Sequence, residues 1–286
     1  MQAALESDLE VVRNSKAHVD FEVHSVFCVN NLREKIGVQL DRRSGDPTRH
    51  REATLRRDYG IDQKGPATKH VWYTGENFRP PTDWDVTLSF DVDPMLGANW
   101  YLPHWAIRLG DLGGQDPRDP FSATNATLLN PRDPGVYRSK FACVLAGNPH
   151  PLRLALLEAL KGVGSVDPYG SMFGARVDSK FDLFQEYRFA IVPENDLYPG
   201  YVSEKVIEAW LAGCIPIWWG SDPAGYINPK AVINLADMSV AELITRIAEL
   251  DSDPNRVLTM MAEPILNRPY DFSACVDFVR TRLLEA

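Results

Sequence analysis

Short apolar runs rich in β-branched residues recur along this 286-residue chain, and between the later ones lie stretches whose apolar residues are spaced three and four apart. The runs VDFEVHSVFCV, KHVWYT and DVTLSF predict strands in the first third, and FACVLAG, FAIV, CIPIWW and AVINL predict strands further on. LRLALLEALK, SEKVIEAWLAG and SVAELITRIAEL carry the helical spacing. Strands alternating with helices predict an α/β fold with parallel sheets. The order is clearest after residue 139. Before it, GDLGGQDPRDPFSATNATLLNPRDPG is long and rich in Pro, Gly and Asp, which predicts a boundary or hinge between two α/β units. No internal repeat interrupts this plan.

Composition narrows the partners. Hydrophobic residues make up 44% and charged residues 24%, enough for a sizeable core. The formal charge of −9 argues against nucleic acid and against a generally basic membrane-facing surface, so an anionic ligand needs a local cluster of cations. One such run, Asp41 to Gly60, carries six arginines; a solvated surface is the ordinary reading, an acceptor- or phospholipid-facing patch the other. Cys28, Cys143, Cys214 and Cys275 show neither CxxC pairing nor zinc-ligand spacing, which predicts buried free thiols in a reducing compartment. The six histidines (His18, His24, His50, His70, His104, His150) show no ligand spacing either. No apolar stretch reaches the ~18 residues of a membrane span and the first residues do not read as a signal peptide. A cytoplasmic protein is expected, with peripheral association at the inner membrane face left open.

The candidate chemistry starts from ENDLYPGYVSEKVIEAWLAGCIPIWWG, where an apolar run ends at a proline and a helix is predicted to open at Ser203 as N-cap and close at Gly213. Lys205 then stands in the first turn, where the helix dipole disfavours a cation by ~0.3–1 kcal/mol. FACVLAGNPHPLR repeats the arrangement: a strand, a turn, a helix with Pro151 at its first position, and Arg153 in its first turn. Two cations after two buried strands predict a phosphate or diphosphate at the C-terminal edge of a parallel sheet. Surface salt bridges, with Glu204 or Glu158 as partners, are the alternative. Tyr198 and Tyr201 offer aromatic faces for a nucleotide, Asn195 and Glu204 offer groups for hydroxyls, and Gly200 allows close backbone approach. Glu194 and His150 are further candidates for the same pocket, His150 also reading as a simple turn residue.

RFAIVPENDLYPGYVSEKVIEAWLAGCIPIWWG resembles the signature of the α1,3/4-fucosyltransferases, glycosyltransferase family ten, in its bacterial form. VWYTGENFRPPTDWDVTLSFD with YLPHW, and SKFACVLAGNPHPLRLALLEAL, are similar to two further motifs of that family, and the three cover Lys69 to Asn234 in the family's order. The resemblance implies the GT-B architecture, two Rossmann-like domains facing across a cleft: residues 1–135 on the acceptor side and 136–286 binding the donor, with a return of the last helix to the first domain left open. It implies an inverting transfer of L-fucose from GDP-fucose to a glycan acceptor, in α1,3 linkage to GlcNAc or Glc, without a required cofactor and with stimulation by a divalent metal left open. By the same resemblance Lys205 and Arg153 neutralise the diphosphate. Glu76, as general base, and Glu204 are the catalytic carboxylates; Glu204 also holds a ribose or fucose hydroxyl, and Tyr201 and Asn195 complete the donor pocket. Those residue types suit the chemistry, since inversion needs one carboxylate at the attacking hydroxyl and cations at the departing phosphate.

Pro193 stands where the family usually has Phe, Asp196 where Ser is frequent, and Ser203 where Thr is usual; Asp196 adds negative charge near the donor and bears on donor preference. Three alternatives stay open. A metal-dependent transferase would use Asp91 and Asp93, the Asp-x-Asp of VTLSFDVD. Transfer of another GDP-sugar and a catalytically idle sugar-nucleotide-binding protein are the others.

Overall fold

The computed structural model of the chain describes residues 21–25, 69–75, 79–80, 83–92, 98–110, 118–147 and 150–284. Glu76, Asp93, Cys28, His18, His50 and the arginine run of 41–60 lie outside these residues. Chain contacts divide the molecule into two units, Met1–Gln115 with Asp271–Ala286, and Asp116–Tyr270.

Among the described residues the first unit holds four parallel strands in chain order: β1 (Phe21–Ser25), β2 (Lys69–Tyr73), β3 (Val86–Ser89) and β4 (Asn99–Tyr101). Val71, Trp72 and Tyr73 of β2 and all four residues of β3, Val86, Thr87, Leu88 and Ser89, are buried, so both strands are covered on both faces, although β3 alternates apolar and polar residues. A short helix, α1 (His104–Ile107), follows β4 and buries Trp105 and Ala106. The C-terminal helix Phe272–Leu284 belongs to this unit; Phe272, Cys275, Val276 and Val279 form its buried stripe, and Phe278 meets Trp100 of β4 with ring centroids 5.2 Å apart.

The second unit is a five-stranded parallel sheet in the order β6-β5-β7-β8-β9, from β5 (Lys140–Leu145), β6 (Val166–Tyr169), β7 (Tyr187–Ile191), β8 (Ile215–Trp218) and β9 (Ile233–Asn234). Its helices are α2 (Asn125–Leu129), α3 (Pro151–Leu160), α4 (Lys180–Gln185), α5 (Lys205–Leu211), α6 (Val240–Asp251) and α7 (Pro254–Ala262). Alternation along the strands builds two cores. Ala142, Val144, Phe189 and Ile191 face Leu156 and Leu160 of α3, Leu243 and Ile247 of α6 and Met261 of α7. Cys143 and Ala190 face Leu183 and Phe184 of α4 and Ala209 of α5. Helices on both faces make β5, β7 and β8 nearly continuous apolar runs.

The strand order sets the functional edge. The chain leaves β5 toward β6 on one side and returns to β7 on the other, so the direction of winding reverses between β5 and β7. Loops following those two strands diverge and leave a crevice at the C-terminal ends, where ligands of open α/β sheets bind.

β6, whose sequence is VDPY, escapes the apolar pattern because it is an edge strand and can carry Pro168, which lacks a ladder donor. Helices α4 and α7 also go unpredicted; both start at side-chain caps, Ser179 and Asp253. The expected division at residue 135 is corrected. Residues 118–135 pack on the second unit: Asn125 and Tyr270 exchange hydrogen bonds of 3.1 and 2.8 Å, Leu266 N donates to Leu128 O, and Arg132 N donates to Ala262 O. What reads as a hinge is anchored because Leu128 is buried within it.

Candidate active site

β5 runs into Ala146–Gly147, and α3 begins with Pro151 at its first position and His150 as N-cap, its Nδ1 accepting from Leu152 N at 3.3 Å. This fixes Arg153 in the first turn, where it is buried to 7% exposure. β7 continues past Ile191 as Val192 N donates to Ile217 O and Glu194 N to Trp219 O, at 2.9 Å each, and the chain then leaves the sheet as the loop 195–204. Gly200, at φ 90, shapes that loop, and its N donates to Ser221 O.

The two predicted cations meet. Arg153 Nη2 donates to Asn195 Oδ1 at 2.9 Å, and Lys205 Nζ donates to the same oxygen at 3.2 Å. Lys205 Nζ also stands 3.2 Å from Glu194 Oε2. Asn195 Oδ1 therefore marks a point within hydrogen-bonding reach of both cations, at the β5/β7 reversal. Asn195 itself is exposed, so this point opens to solvent. Burial pushes the Arg153 guanidinium down, opposed by the charge of Glu194. Glu158, an alternative partner at the sequence level, pairs with Lys161 at 2.6 Å.

His150 closes one side. Its ring is 6.2 Å from that of Trp219, and it hydrogen-bonds the backbone of Asn195. Its pKa is pushed below the usual imidazole value, first by burial and then by the charges of Arg153 and Lys205. Tyr198 is half-buried, Tyr201 buried, Glu204 half-buried and Asp196 exposed. Tyr201 lies close enough to Arg153 to interact with it electrostatically.

Two sequence expectations change. Ser203 is not the N-cap: α5 begins at Lys205, with Glu204 in the cap position and no side-chain cap bond, while Ser203, one residue earlier, donates its hydroxyl to Glu194 Oε2 at 2.7 Å and accepts from Lys205 N at 3.4 Å. The close of the helix is as read, since Gly213 takes φ 93 while its N and that of Cys214 return to Trp210 O and Ala209 O. Glu194, a candidate for the donor pocket, has 0% exposure and lies beneath the site. Trp219, which the sequence reading passed over, stands at the rim.

In the first unit Asp91 is buried at the end of β3 and faces Arg79, whose Nη1 is 3.9 Å from Asp91 Oδ2. A guanidinium in that position competes with a metal for the carboxylate. No group of three or more His, Cys, Asp or Glu among the described residues is arranged to hold a metal ion. The described cysteines, Cys143, Cys214 and Cys275, are free and buried, and burial pushes the Cys214 thiol up to about 12.

Residues 137–261, which hold all of β5 to β9 and the cation pair, match the family model "Glycosyltransferase family 10 (fucosyltransferase) C-term". Residues 137–261 form a glycosyltransferase family 10 domain. Among the chain's relatives, the α-(1,3)-fucosyltransferase FucT of Helicobacter pylori is 30% identical over 227 residues, 70% of this chain and 48% of that protein. Human 3-galactosyl-N-acetylglucosaminide 4-α-L-fucosyltransferase FUT3 is 29% identical over 231 residues, 73% of this chain and 57% of that protein. The chain thus spans about half the length of these relatives. A crystal structure of an α1,3-fucosyltransferase superposes with a TM-score of 0.62 at 28% identity, over 76% of this chain and 72% of that one. One with GDP gives 0.68 at 23% identity, over 99% and 97% of the two chains, a likeness of fold. The fold of this chain is α/β of the GT-B type, each unit a parallel sheet with helices. Among the described residues no helix is long and apolar enough to cross a membrane.

Proposed function

We propose that this chain transfers L-fucose from GDP-fucose to a glycan hydroxyl, in α1,3 linkage and with inversion, without a required metal. The observation that carries the reading is the convergence of Arg153 and Lys205 on one oxygen at the β5/β7 reversal. An amide oxygen between two cations is a neutral stand-in for a phosphate oxygen, which would make charge-assisted bonds about twice as strong. Relatives named as α1,3- and α-L-fucosyltransferases, and a fold shared with a crystal structure of an α1,3-fucosyltransferase with GDP-fucose, support the donor.

In this reading the acceptor hydroxyl loses its proton to Glu76 and its oxygen bonds to the anomeric carbon of fucose as the bond to the β-phosphate oxygen breaks. Lys205 and Arg153 meet the charge left on that oxygen. Glu204, half-buried at the head of α5, holds a ribose or fucose hydroxyl, and Tyr201, Asn195, Tyr198 and His150 line the donor. The experiment is fucose transfer from GDP-fucose to a GlcNAc- or Glc-terminated oligosaccharide, with and without EDTA. Product formation unaffected by EDTA is expected. Activity that appears only with added metal and only with another sugar nucleotide would overturn the proposal.

A further inference from the structure

Glu194 is the most completely enclosed charge in the second unit's crevice, with 0% exposure. Each of its carboxylate oxygens takes two donors. Oε1 accepts from Ser203 N at 2.9 Å and Trp218 Nε1 at 3.3 Å, and Oε2 from the Ser203 hydroxyl at 2.7 Å and Lys205 Nζ at 3.2 Å. Three of the four donors would be enough to anchor the loop, because Ser203 closes it and Trp218 ties it to β8. The fourth is the cation that the proposed reaction uses. A carboxylate without solvent contact cannot touch a donor substrate, so it acts on the reaction through the groups it holds, and of these Lys205 is the one the proposed reaction uses.

We infer that Glu194 is a positioning residue, which acts through Lys205 by fixing its ammonium beside Arg153 where the leaving diphosphate develops charge; the inference rests on the donor reading above. A lysine is a point charge on a flexible four-carbon stem, and holding it in one place costs rotamer freedom. Glu194 holds it in advance, so the cation need not be gathered by the substrate. The same carboxylate also lowers the net charge of the cluster, since Arg153 and Lys205 carry two positive charges and Glu194 one negative. That charge opposes ground-state binding of an anion. Removing it therefore has two opposed effects on GDP affinity and one effect on turnover, where a mobile cation meets the leaving group poorly.

The test is Glu194→Gln in the full chain, with three readouts. Acetylation of Lys205 by acetic anhydride, followed by peptide mass spectrometry with the exposed Lys230 as internal reference, reports the lysine's confinement without any donor. Calorimetry gives the GDP Kd, and transfer kinetics give kcat. The expected result is Lys205 acetylation raised at least about threefold, kcat lowered about tenfold or more, and GDP Kd within about threefold of wild type. Unchanged acetylation, or loss of GDP affinity in step with kcat, would assign Glu194 to loop integrity and overturn the inference. If Glu194→Gln does not fold, Glu194→Asp is read by the same criteria, since it keeps the charge and withdraws it by one methylene, about 1.5 Å. A wild-type chain that ignores GDP while the variant's Lys205 still gains reactivity would sink the donor reading and leave the coupling standing. GDP binding by wild type with no gain in the variant would do the reverse.

Discussion

Single side chains carry the site, and their expected contributions separate. Lys205→Ala removes one of the two cations at the shared oxygen, and loss of a charge-assisted bond costs about 1.5–3 kcal/mol, a tenfold to hundredfold weaker GDP Kd. Calorimetry would check it, and unchanged affinity would remove Lys205 from the phosphate site. His150 gives a pH signature. Its pKa is depressed in the free protein, so the stability it contributes is present above the ordinary imidazole value and is lost as pH falls through the lowered one. A bound anion offsets Arg153 and Lys205 and raises that pKa, so binding takes up a proton and His150 tightens GDP as pH falls from 7.5 toward 6. His150→Gln keeps a capping oxygen and should flatten this component, the difference between the two pH curves cancelling the ligand's own ionisation. Identical curves would exclude His150 from the site's electrostatics.

At the scale of elements, the crevice depends on how strands end. β6 stops at Gly170, whose φ of 100 and ψ of 174 lie in a region open to glycine alone. A Cβ there would stand 2.2 Å from the carbonyl oxygen of Ala146, the residue that leads β5 into the Arg153 helix. Gly170→Ala should therefore destabilise the chain by about 2 kcal/mol or more, seen as a lower unfolding midpoint, and weaken GDP binding through the displaced β5–α3 turn. α5 shows the opposite economy at its head. Glu204 caps it without a side-chain bond, Ser203 bridges Glu194 and the Lys205 N–H, and the far end is locked by Gly213.

The whole molecule answers to ligand by mass action. GDP at 100 times its Kd adds about 2.7 kcal/mol, which for a chain of this size raises the midpoint by several degrees. The same shift is expected with EDTA present, and UDP and ADP should give less. A response to UDP that disappears with EDTA would move attention to Asp91 and Asp93, although Arg79 already faces Asp91. The two units also explain why the chain has to be read end to end: its last helix, Phe272–Leu284, completes the sheet unit that its first strand begins.

Much of this was legible in the sequence. Strands buried on both faces have to be apolar throughout, so β5, β7 and β8 announced a parallel sheet, and a cation in a first helical turn asks for an opposite charge, so Arg153 and Lys205 were found as a pair. The motifs that resemble family 10 stood in the open for the same reason, as local chemistry with fixed spacing. Tertiary structure alone decided the rest. Which strand β5 neighbours, and so where the winding reverses, depends on pairing between residues far apart in the chain. Edge strand β6 hid behind Pro168, and the segment 118–135 looked like a hinge until its partners at 261–270 were in place. Glu194 and Ser203 read as a loop acid and a helix cap. Only enclosure, which is a property of the folded surroundings and not of the residue, turned the acid into an anchor for Lys205 and tied the serine to it as well as to the helix head.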